Sequence, residues 1–236
     1  MAAPVVTLAP GVYRIPTLGD FINSFAFVDA DGQVTLVDCG IARAPRRIVE
    51  ALAGIGRTPA DVTRIVLTHA HSDHAGGAHE MIRRTAVSGV EMHESDAPFA
   101  MIGQSPPMAG STMGRLMSRG PANRFTPFPV VTELVDGQVI DVGGGLRVVH
   151  TPGHTPGHVS LLHEGSGVLI TGDAIFNMAS RMRWPMAVTC TSARQNQQSA
   201  HVLGELEYDV AAFTHGPEIR DGAREAVRGF LRRKGA

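Results

Sequence analysis

The sequence predicts a mixed α/β fold built in layers, as one domain over residues 1–236. Short β-like runs come in groups with helical patterns between them, which is typical of sheets covered by helices. No linker-like stretch divides the chain, and a composition of 43% hydrophobic and 18% charged residues is that of an ordinary globular protein. Four of the β-like runs end in a residue that could bind a metal.

The N-terminal part predicts β-structure followed by a helix. Residues 25–28 and 34–37 form a predicted hairpin around a turn that contains Gly32. Apolar residues at 48, 51, 52 and 55 recur at helical spacing, and Pro45 lies near the start of this pattern. A short strand is expected over 64–68, and a helix over 75–84, although Gly76 and Gly77 weaken its first turn. Another strand is expected over 86–92.

Residues 95–129 predict a long irregular insert. The segment is rich in proline and methionine. A long insert in a compact domain is usually a functional loop or a lid, and methionines offer adaptable apolar surface. We expect this segment to cap the functional site and to select the substrate. The alternative is a dimer contact or a plain surface excursion.

The C-terminal part returns to strand-like runs, with helices near its end. Glycine-containing turns separate several of the runs. The predicted strands are 132–135, 139–142, 146–150, 159–163, 168–171 and 210–214. Helices are expected over 195–205 and 218–234. Groups of strands with helices between them are typical of a layered α/β fold, so this part of the chain supports the same prediction.

One pattern occurs four times: an apolar strand leads through a threonine to a residue that can bind metal. The four residues are His69, His154, Asp173 and His215. Strand ends at one edge of a sheet lie close in space, and rigid strands with short turns give a preorganised site. The sequence therefore predicts a metal site at one edge of the sheets.

The first of these four residues, His69, begins a cluster of possible ligands, His69-x-His71-x-Asp73-His74. In an extended turn, residues i and i+2 point the same way, so His69 and His71 could bind one ion. Asp73 and His74 follow where the chain enters a predicted helix, and they could bind a second ion. Imidazole and carboxylate groups suit zinc and related metals. The remaining histidines are expected to be ordinary core or surface residues: His79, His93, His150, His158, His163 and His201.

Composition excludes several classes of function. A net charge of −1 argues against a non-specific nucleic-acid binder. Two cysteines, Cys39 and Cys190, are too few for a disulfide framework and lack zinc-site spacing, which argues against a structural zinc protein. The N-terminus lacks the pattern of a signal peptide, and no apolar run has the length of a membrane span. We expect a cytoplasmic protein without nucleic-acid or membrane partners.

Several motifs resemble those of the metallo-β-lactamase superfamily. Residues 69–77, HAHSDHAGG, match its HxHxDHxGG signature. TPGHTPGH at 151–158, TGD at 171–173, THG at 214–216 and LVDCG at 36–40 resemble its further motifs, in the same order along the chain. The resemblance implies a four-layer αβ/βα sandwich with the metals at one edge of the sheets.

The resemblance also implies a ligand set for two divalent metal ions, zinc first, with iron or manganese as alternatives. Asp38 would orient a ligand histidine, although an ordinary turn aspartate is an equal expectation. The implied ligands are His69, His71 and His154 for the first ion, Asp73, His74 and His215 for the second, and Asp173 between them.

The implied reaction is metal-assisted hydrolysis. In the family, two cations lower the pKa of a bridging water, so that hydroxide can attack an ester, thioester or lactone carbonyl of a small acyl substrate. Asp73 is the candidate catalytic residue, because it would orient this water or carry its proton. The subgroups that the chain resembles are glyoxalase II-like thioesterases and acyl-homoserine-lactone-type lactonases. The sequence leaves open whether the chain forms a homodimer.

Three other functions are alternatives at the level of sequence. Persulfide dioxygenases share the signature but hold one iron with the counterparts of His69, His154 and Asp173. A β-lactamase-like amide hydrolase is disfavoured because β-lactamases usually have another ligand in place of Asp173 and are exported. RNA-processing nucleases of the family carry extra arms or an inserted domain, and we expect neither here; the charge balance also argues against a nuclease.

One position separates the two leading subgroups. The lactonase subgroup has a tyrosine three residues after the bridging aspartate, where its phenol helps to hold the substrate carbonyl. This sequence has Phe176 there, as glyoxalase II-like members often do. The resemblance therefore ranks thioesters above lactones.

Overall fold

Two β-sheets lie face to face in the structure, a computed structural model that describes residues 5–109, 112–118 and 120–234. Helices cover the outer surface of each sheet, as the apolar clusters described below show. The predicted layered α/β fold is confirmed, and its order is helix, sheet, sheet, helix.

The larger sheet has seven strands that are neighbours in chain order. Pairing is antiparallel among its first four strands and parallel from the fourth to the seventh. The strands are β1 (Val6–Ala9), β2 (Val12–Pro16), β3 (Asn23–Val28), β4 (Val34–Val37), β5 (Val62–Val66), β6 (Val90–His93) and β7 (Val130–Leu134).

The smaller sheet has five strands in the order β14-β11-β10-β9-β8. Only β11 and β14 pair in parallel within it. A separate hairpin consists of β12 and β13. The strands are β8 (Val139–Ile140), β9 (Leu146–His150), β10 (Val159–His163), β11 (Val168–Ile170), β12 (Phe176–Met178), β13 (Arg181–Arg183) and β14 (Val210–Ala212).

Among the described residues the α-helices are short, apart from the first, with 10 residues, and the last, with 12. Short 3₁₀ turns occur at Pro59–Asp61, Pro121–Asn123, Gly172–Ala174, Ala187–Thr189 and Ala200–Gly204. The α-helices are α1 (Pro45–Gly54), α2 (Ser72–Ala75), α3 (Ala78–Arg84), α4 (Ala97–Ile102), α5 (Thr112–Met117), α6 (Ala193–Ser199) and α7 (Ala223–Lys234).

Three apolar clusters hold the layers together. Between the sheets, Phe25 of β3 lies in one cluster with Leu161 of β10. On the outside of the larger sheet, Leu52 of α1 and neighbouring helical residues pack against buried strand residues. On the outside of the smaller sheet, Val227 and Phe230 of α7 do the same. Burial of a large apolar side chain contributes roughly 1.5–3 kcal/mol, so these clusters account for much of the stability.

Several sequence-based predictions differ from the structure. The strand expected over 86–92 is Val90–His93, and the helix expected over 218–234 begins only at Ala223. The helix expected over 75–84 is two helices, α2 and α3, that meet at Gly76 and Gly77. A Cβ atom on Gly77 would lie 2.2 Å from the carbonyl oxygen of Cys39, so close packing against this loop requires glycine. The insert over 95–129 is also more regular than expected, because it contains α4 and α5.

The ends of β5, β9, β11 and β14 that carry the predicted ligands meet at one edge of the two sheets. Hydrogen bonds join the sheets there: Asn23 N–H donates to Thr214 O, and Val159 N–H donates to Thr68 O, at 2.9 Å each. The edge is therefore a fixed platform for the turns that follow these strands. None of the helices within residues 5–109, 112–118 and 120–234 is long and apolar enough to cross a membrane.

Candidate metal centre

The seven predicted ligand residues lie together at this edge. Their nitrogen and oxygen atoms form three overlapping groups, each with atoms within 4.8 Å of one another. Two groups correspond to the two predicted ligand sets, and the third joins one histidine of each set through Asp173. The groups are His69, His71 and His154; Asp73, His74 and His215; and His69, His74 and Asp173.

The three-histidine group is buried. Nδ1 of His71 lies 2.9 Å from Nε2 of His154. Nε2 of His69 is buried and has no hydrogen-bond partner among the described residues, although its other ring nitrogen lies 3.1 Å from the Thr68 hydroxyl. A buried nitrogen of His69 without a hydrogen-bond partner, beside the converging nitrogens of His71 and His154, is what a cation would satisfy.

The second group faces solvent on one side. Nε2 of His74 lies 3.4 Å from Nε2 of His215 and 3.7 Å from Oδ2 of Asp73. The same Asp73 oxygen lies 3.5 Å from Nε2 of His215. The Asp73 side chain is 35% exposed, whereas that of His74 is fully buried. Substrate and water can therefore approach this group from the Asp73 side.

Asp173 lies at the centre of both groups. Its Oδ2 is 3.0 Å from Nε2 of His154 and 3.3 Å from Nε2 of His215. Its Oδ1 is 3.3 Å from Nε2 of His74 and accepts a hydrogen bond from the Thr214 hydroxyl at 2.7 Å. One carboxylate thus reaches histidines of both groups, as a bridging ligand must.

The electrostatics of the centre favour a cation. Burial by itself lowers the pKa of His74, but the nearby carboxylates of Asp173, Asp73 and Asp38 outweigh burial and raise this pKa to about 10. Burial raises the pKa of Asp173, yet the imidazoles of His215, His74 and His154 hold it well below its usual range. The carboxylates of Asp73 and Asp173, whose pKa values are both lowered, therefore attract positive charge, whether it comes from a proton or from a metal ion.

In the three-histidine group burial dominates, so the net pKa shifts of His69 and His71 are opposite to that of His74. The pKa of His69 is well below its usual value, and that of His71 falls to about 3, in both cases chiefly because burial disfavours the charged ring. Neutral imidazoles are the form that binds metal. The donor set fits two divalent ions of the zinc type. The three-histidine group would hold one ion, and the group of Asp73, His74 and His215 would hold the other. Asp173 would be shared by both ions.

Asp38 anchors one of these histidines. Its Oδ2 lies 2.8 Å from Nδ1 of His74, and its carboxylate accepts hydrogen bonds from the Thr68 N–H and hydroxyl at 2.8 Å each. Asp38 has a positive φ of 58°, which aspartate tolerates better than most residues. The geometry therefore favours the expectation that Asp38 orients His74 over the expectation of an ordinary turn aspartate.

Two residues of the centre were not predicted. His158 is buried as expected, but its Nε2 accepts a 2.7 Å hydrogen bond from Asp173 N–H, and a Cβ on Gly172 would lie 2.4 Å from that nitrogen. The thiol of Cys190 lies 3.5 Å from Nδ1 of His154. Because His158 belongs to the TPGHTPGH motif, the sequence could have indicated its role. Cys190 lies in no motif that would have indicated its contact with His154.

Aromatic rings line the open side. The Phe176 ring is 4.4 Å from the His215 ring and 6.5 Å from the His154 ring. The Phe21 side chain is 63% exposed, and its backbone carbonyl accepts a hydrogen bond from Nδ1 of His215. The approach to the centre is therefore partly apolar.

Comparison with known proteins agrees with this geometry. A family model described as the metallo-β-lactamase superfamily matches residues 18–224. The probable metallo-hydrolase YybB of Bacillus subtilis is 27% identical over 206 residues, which are 87% of this chain and 83% of YybB. Metallo-beta-lactamase domain-containing protein 1 of Homo sapiens is 31% identical over 78% of this chain and 59% of that protein.

Solved structures show the same architecture. A metallo-beta-lactamase family protein from Thermus thermophilus superposes with a TM-score of 0.75 at 27% identity, over 97% of this chain and 81% of that one. The metallo-β-lactamase MIM-1 from Novosphingobium pentaromativorans has a TM-score of 0.77 at 21% identity, over 98% and 87% of the two chains. The second likeness bears on the fold alone.

Proposed function

This chain belongs to the metallo-β-lactamase superfamily and is a metallo-hydrolase, and on that premise we propose that it uses two metal ions to cleave a small acyl substrate, with thioesters ranked before lactones and other esters. The observation that carries this proposal is the arrangement of the donors in two groups that share Asp173. A structural zinc site is closed, whereas here the side of Asp73 is open to solvent.

The proposed roles of the residues follow from their positions. When bound, two divalent cations would polarise the substrate carbonyl and make water acidic enough to supply a nucleophile near neutral pH. Asp73 is the most exposed of the seven ligand candidates, so its carboxylate is placed to orient the attacking water and to hold its proton. The proton then passes to the leaving group. Asp38 and His158 keep His74 and Asp173 in position.

The preference for thioesters depends on Phe176. Its ring contacts the His215 ring, so the residue lies beside the centre where a substrate carbonyl would sit. Phenylalanine offers no hydrogen-bond donor, and the loss of one such donor costs on the order of 10²–10³ in rate. A thioester is less affected than a lactone, because its thiolate leaves readily.

The test of the proposed function compares a thioester with a lactone of matched acyl chain. Metal-loaded wild type is expected to hydrolyse the thioester faster, and metal-free protein neither. Phe176→Tyr is expected to raise the lactone rate about tenfold or more, because its phenol would donate to the carbonyl. Steady-state kcat/KM for both substrates is the measurement, and a β-lactam serves as a third substrate.

Three results would count against this proposal. If wild type hydrolyses the lactone far faster than the thioester, the ranking of substrates is wrong. If Phe176→Tyr leaves the lactone rate unchanged, Phe176 does not face the reacting carbonyl. Hydrolysis of none of the three substrates by the loaded protein would contradict the acyl-hydrolase function as a whole.

We further propose that the segment over 95–129 forms one wall of the substrate site. The Pro107 carbonyl accepts a 2.8 Å hydrogen bond from the Thr191 hydroxyl, next to Cys190, whose thiol contacts His154. Helix α5 lies beside the turn Ala187–Thr189 that precedes Cys190. Met113 and Leu116 of α5 are exposed and offer apolar surface for an acyl chain.

The double substitution Met113→Ser and Leu116→Ser is expected to raise KM for long-chain acyl thioesters by about tenfold and to leave short-chain substrates unaffected. Removal of apolar contact area explains the difference, at roughly 25 cal/mol per Å². The control is Val139→Ser, an exposed residue of β8 away from the centre. Equal KM changes for all chain lengths, or dissociation of a dimer with unchanged kinetics, would favour the alternative of a dimer contact.

A further inference from the structure

Asp96 is a buried carboxylate that the proposed mechanism does not use. The residue has no exposed surface. In the described ranges, no lysine, arginine or histidine forms an ion pair with it. A buried carboxylate without a cationic partner is costly, so its retention requires specific hydrogen bonds. Its position immediately before α4 does not explain it, because its side chain makes no capping hydrogen bond to that helix.

The Asp96 side chain instead joins the two loops that carry the three-histidine group. Oδ2 accepts a 2.9 Å hydrogen bond from the N–H of Ala70, which lies between His69 and His71. Oδ1 accepts a 2.7 Å hydrogen bond from the N–H of Gly157, three residues after His154. One carboxylate therefore links the two loops directly.

The contact with the second loop is too close for any residue other than glycine. A Cβ atom on Gly157 would lie 2.6 Å from the Asp96 nitrogen and 2.9 Å from its Cγ. Since side chains do not approach to such distances, Gly157 allows the backbone to reach the carboxylate. The TPGHTPGH turn and Asp96 thus fit each other as a pair.

The chemistry of the two hydrogen bonds selects a carboxylate. Both partners are N–H donors, so the side chain must offer two acceptor oxygens and no donor. Asparagine would place an NH₂ group against one of the backbone N–H groups. Burial raises the pKa of Asp96, and the Thr155 side chain, the N–H groups of Ala70 and Gly157 and the nearby His154 act against that rise.

We propose that Asp96 is a positioning residue for the three-histidine group. Its hydrogen bonds to both loops hold the histidines in place, and its buried negative charge stabilises the bound cation. The group consists of His69, His71 and His154, and imidazole ligands bring no negative charge to a metal ion, so a nearby anion strengthens the binding of a divalent ion. This inference rests on the proposed metal site.

The test compares wild type with Asp96→Asn, which keeps the shape but removes one acceptor and the charge. Zinc dissociation constants are measured by competition with a chromophoric chelator, and the Co²⁺ absorption spectrum reports ligand geometry. We expect one zinc constant to rise about 10–100-fold in Asp96→Asn and the Co²⁺ spectrum to change. The matched control is Asp29→Asn, because Asp29 also accepts a backbone N–H from a distant loop, at the far end of β3.

The thermal midpoint of the metal-free protein separates positioning from a merely structural role. If Asp96→Asn lowers this midpoint but both zinc constants equal those of wild type, the inference is wrong. If Asp96→Asn cannot be obtained folded, the equal-length pair Asp96→Glu and Asp96→Gln replaces it, and tighter zinc binding by the glutamate variant is expected. Equal binding by the pair would contradict the inference. Wild type that binds neither zinc nor cobalt would overturn the proposed function and this inference together.

Discussion

Replacement of Asp173 by alanine is expected to lower kcat/KM for the thioester by about 10³-fold or more. The Asp173 carboxylate lies 3.0–3.3 Å from ring nitrogens of His154, His215 and His74, so its loss affects both groups at once. The imidazoles around it would also lose the anion that now balances their positive charge. We expect the variant to bind at least one metal ion less firmly and to retain its fold, because the residue lies at the edge of the sheets.

A matched pair of histidine substitutions controls for non-specific effects. His69→Ala removes a buried ring whose Nε2 has no partner among the described residues, and we expect a loss of activity as large as that of Asp173→Ala. His79→Ala changes a residue of the same stretch that bonds to the Pro127 carbonyl outside the centre, and its activity should stay within about threefold of wild type. Activity of Asp173→Ala above a tenth of the wild-type value would contradict the role of this residue as the shared ligand.

The fold was predictable where the pattern of apolar residues was local. The helical spacing at 48, 51, 52 and 55 corresponds to α1, and the two β-like runs on either side of Gly32 correspond to the β3–β4 hairpin. The hairpin of β12 and β13 was not predicted, because these strands have three residues each and lack a clear period. Helices α4 and α5 were hidden by the prolines of the insert, which suggested an irregular segment.

The candidate site was predictable because its ligands follow strand ends in short motifs. The structure brings all seven of these residues together, from β5, β9, β11 and β14. The supporting residues were harder to find, because their partners are distant in sequence. Asp96 is 61 residues from Gly157, and Cys190 is 36 residues from His154, so only the folded chain reveals these contacts.

The metal content of the replete protein tests the central claim most directly. Mass spectrometry of the native protein should find two divalent ions in each chain, and X-ray absorption should place them roughly 3.5–4 Å apart. Removal of the ions with a chelator should abolish hydrolysis, and their return should restore it. A fully loaded protein with a single ion in each chain, while His74 and His215 are intact, would contradict the two-metal account. A single iron with oxygen consumption on a persulfide substrate would favour the dioxygenase alternative instead.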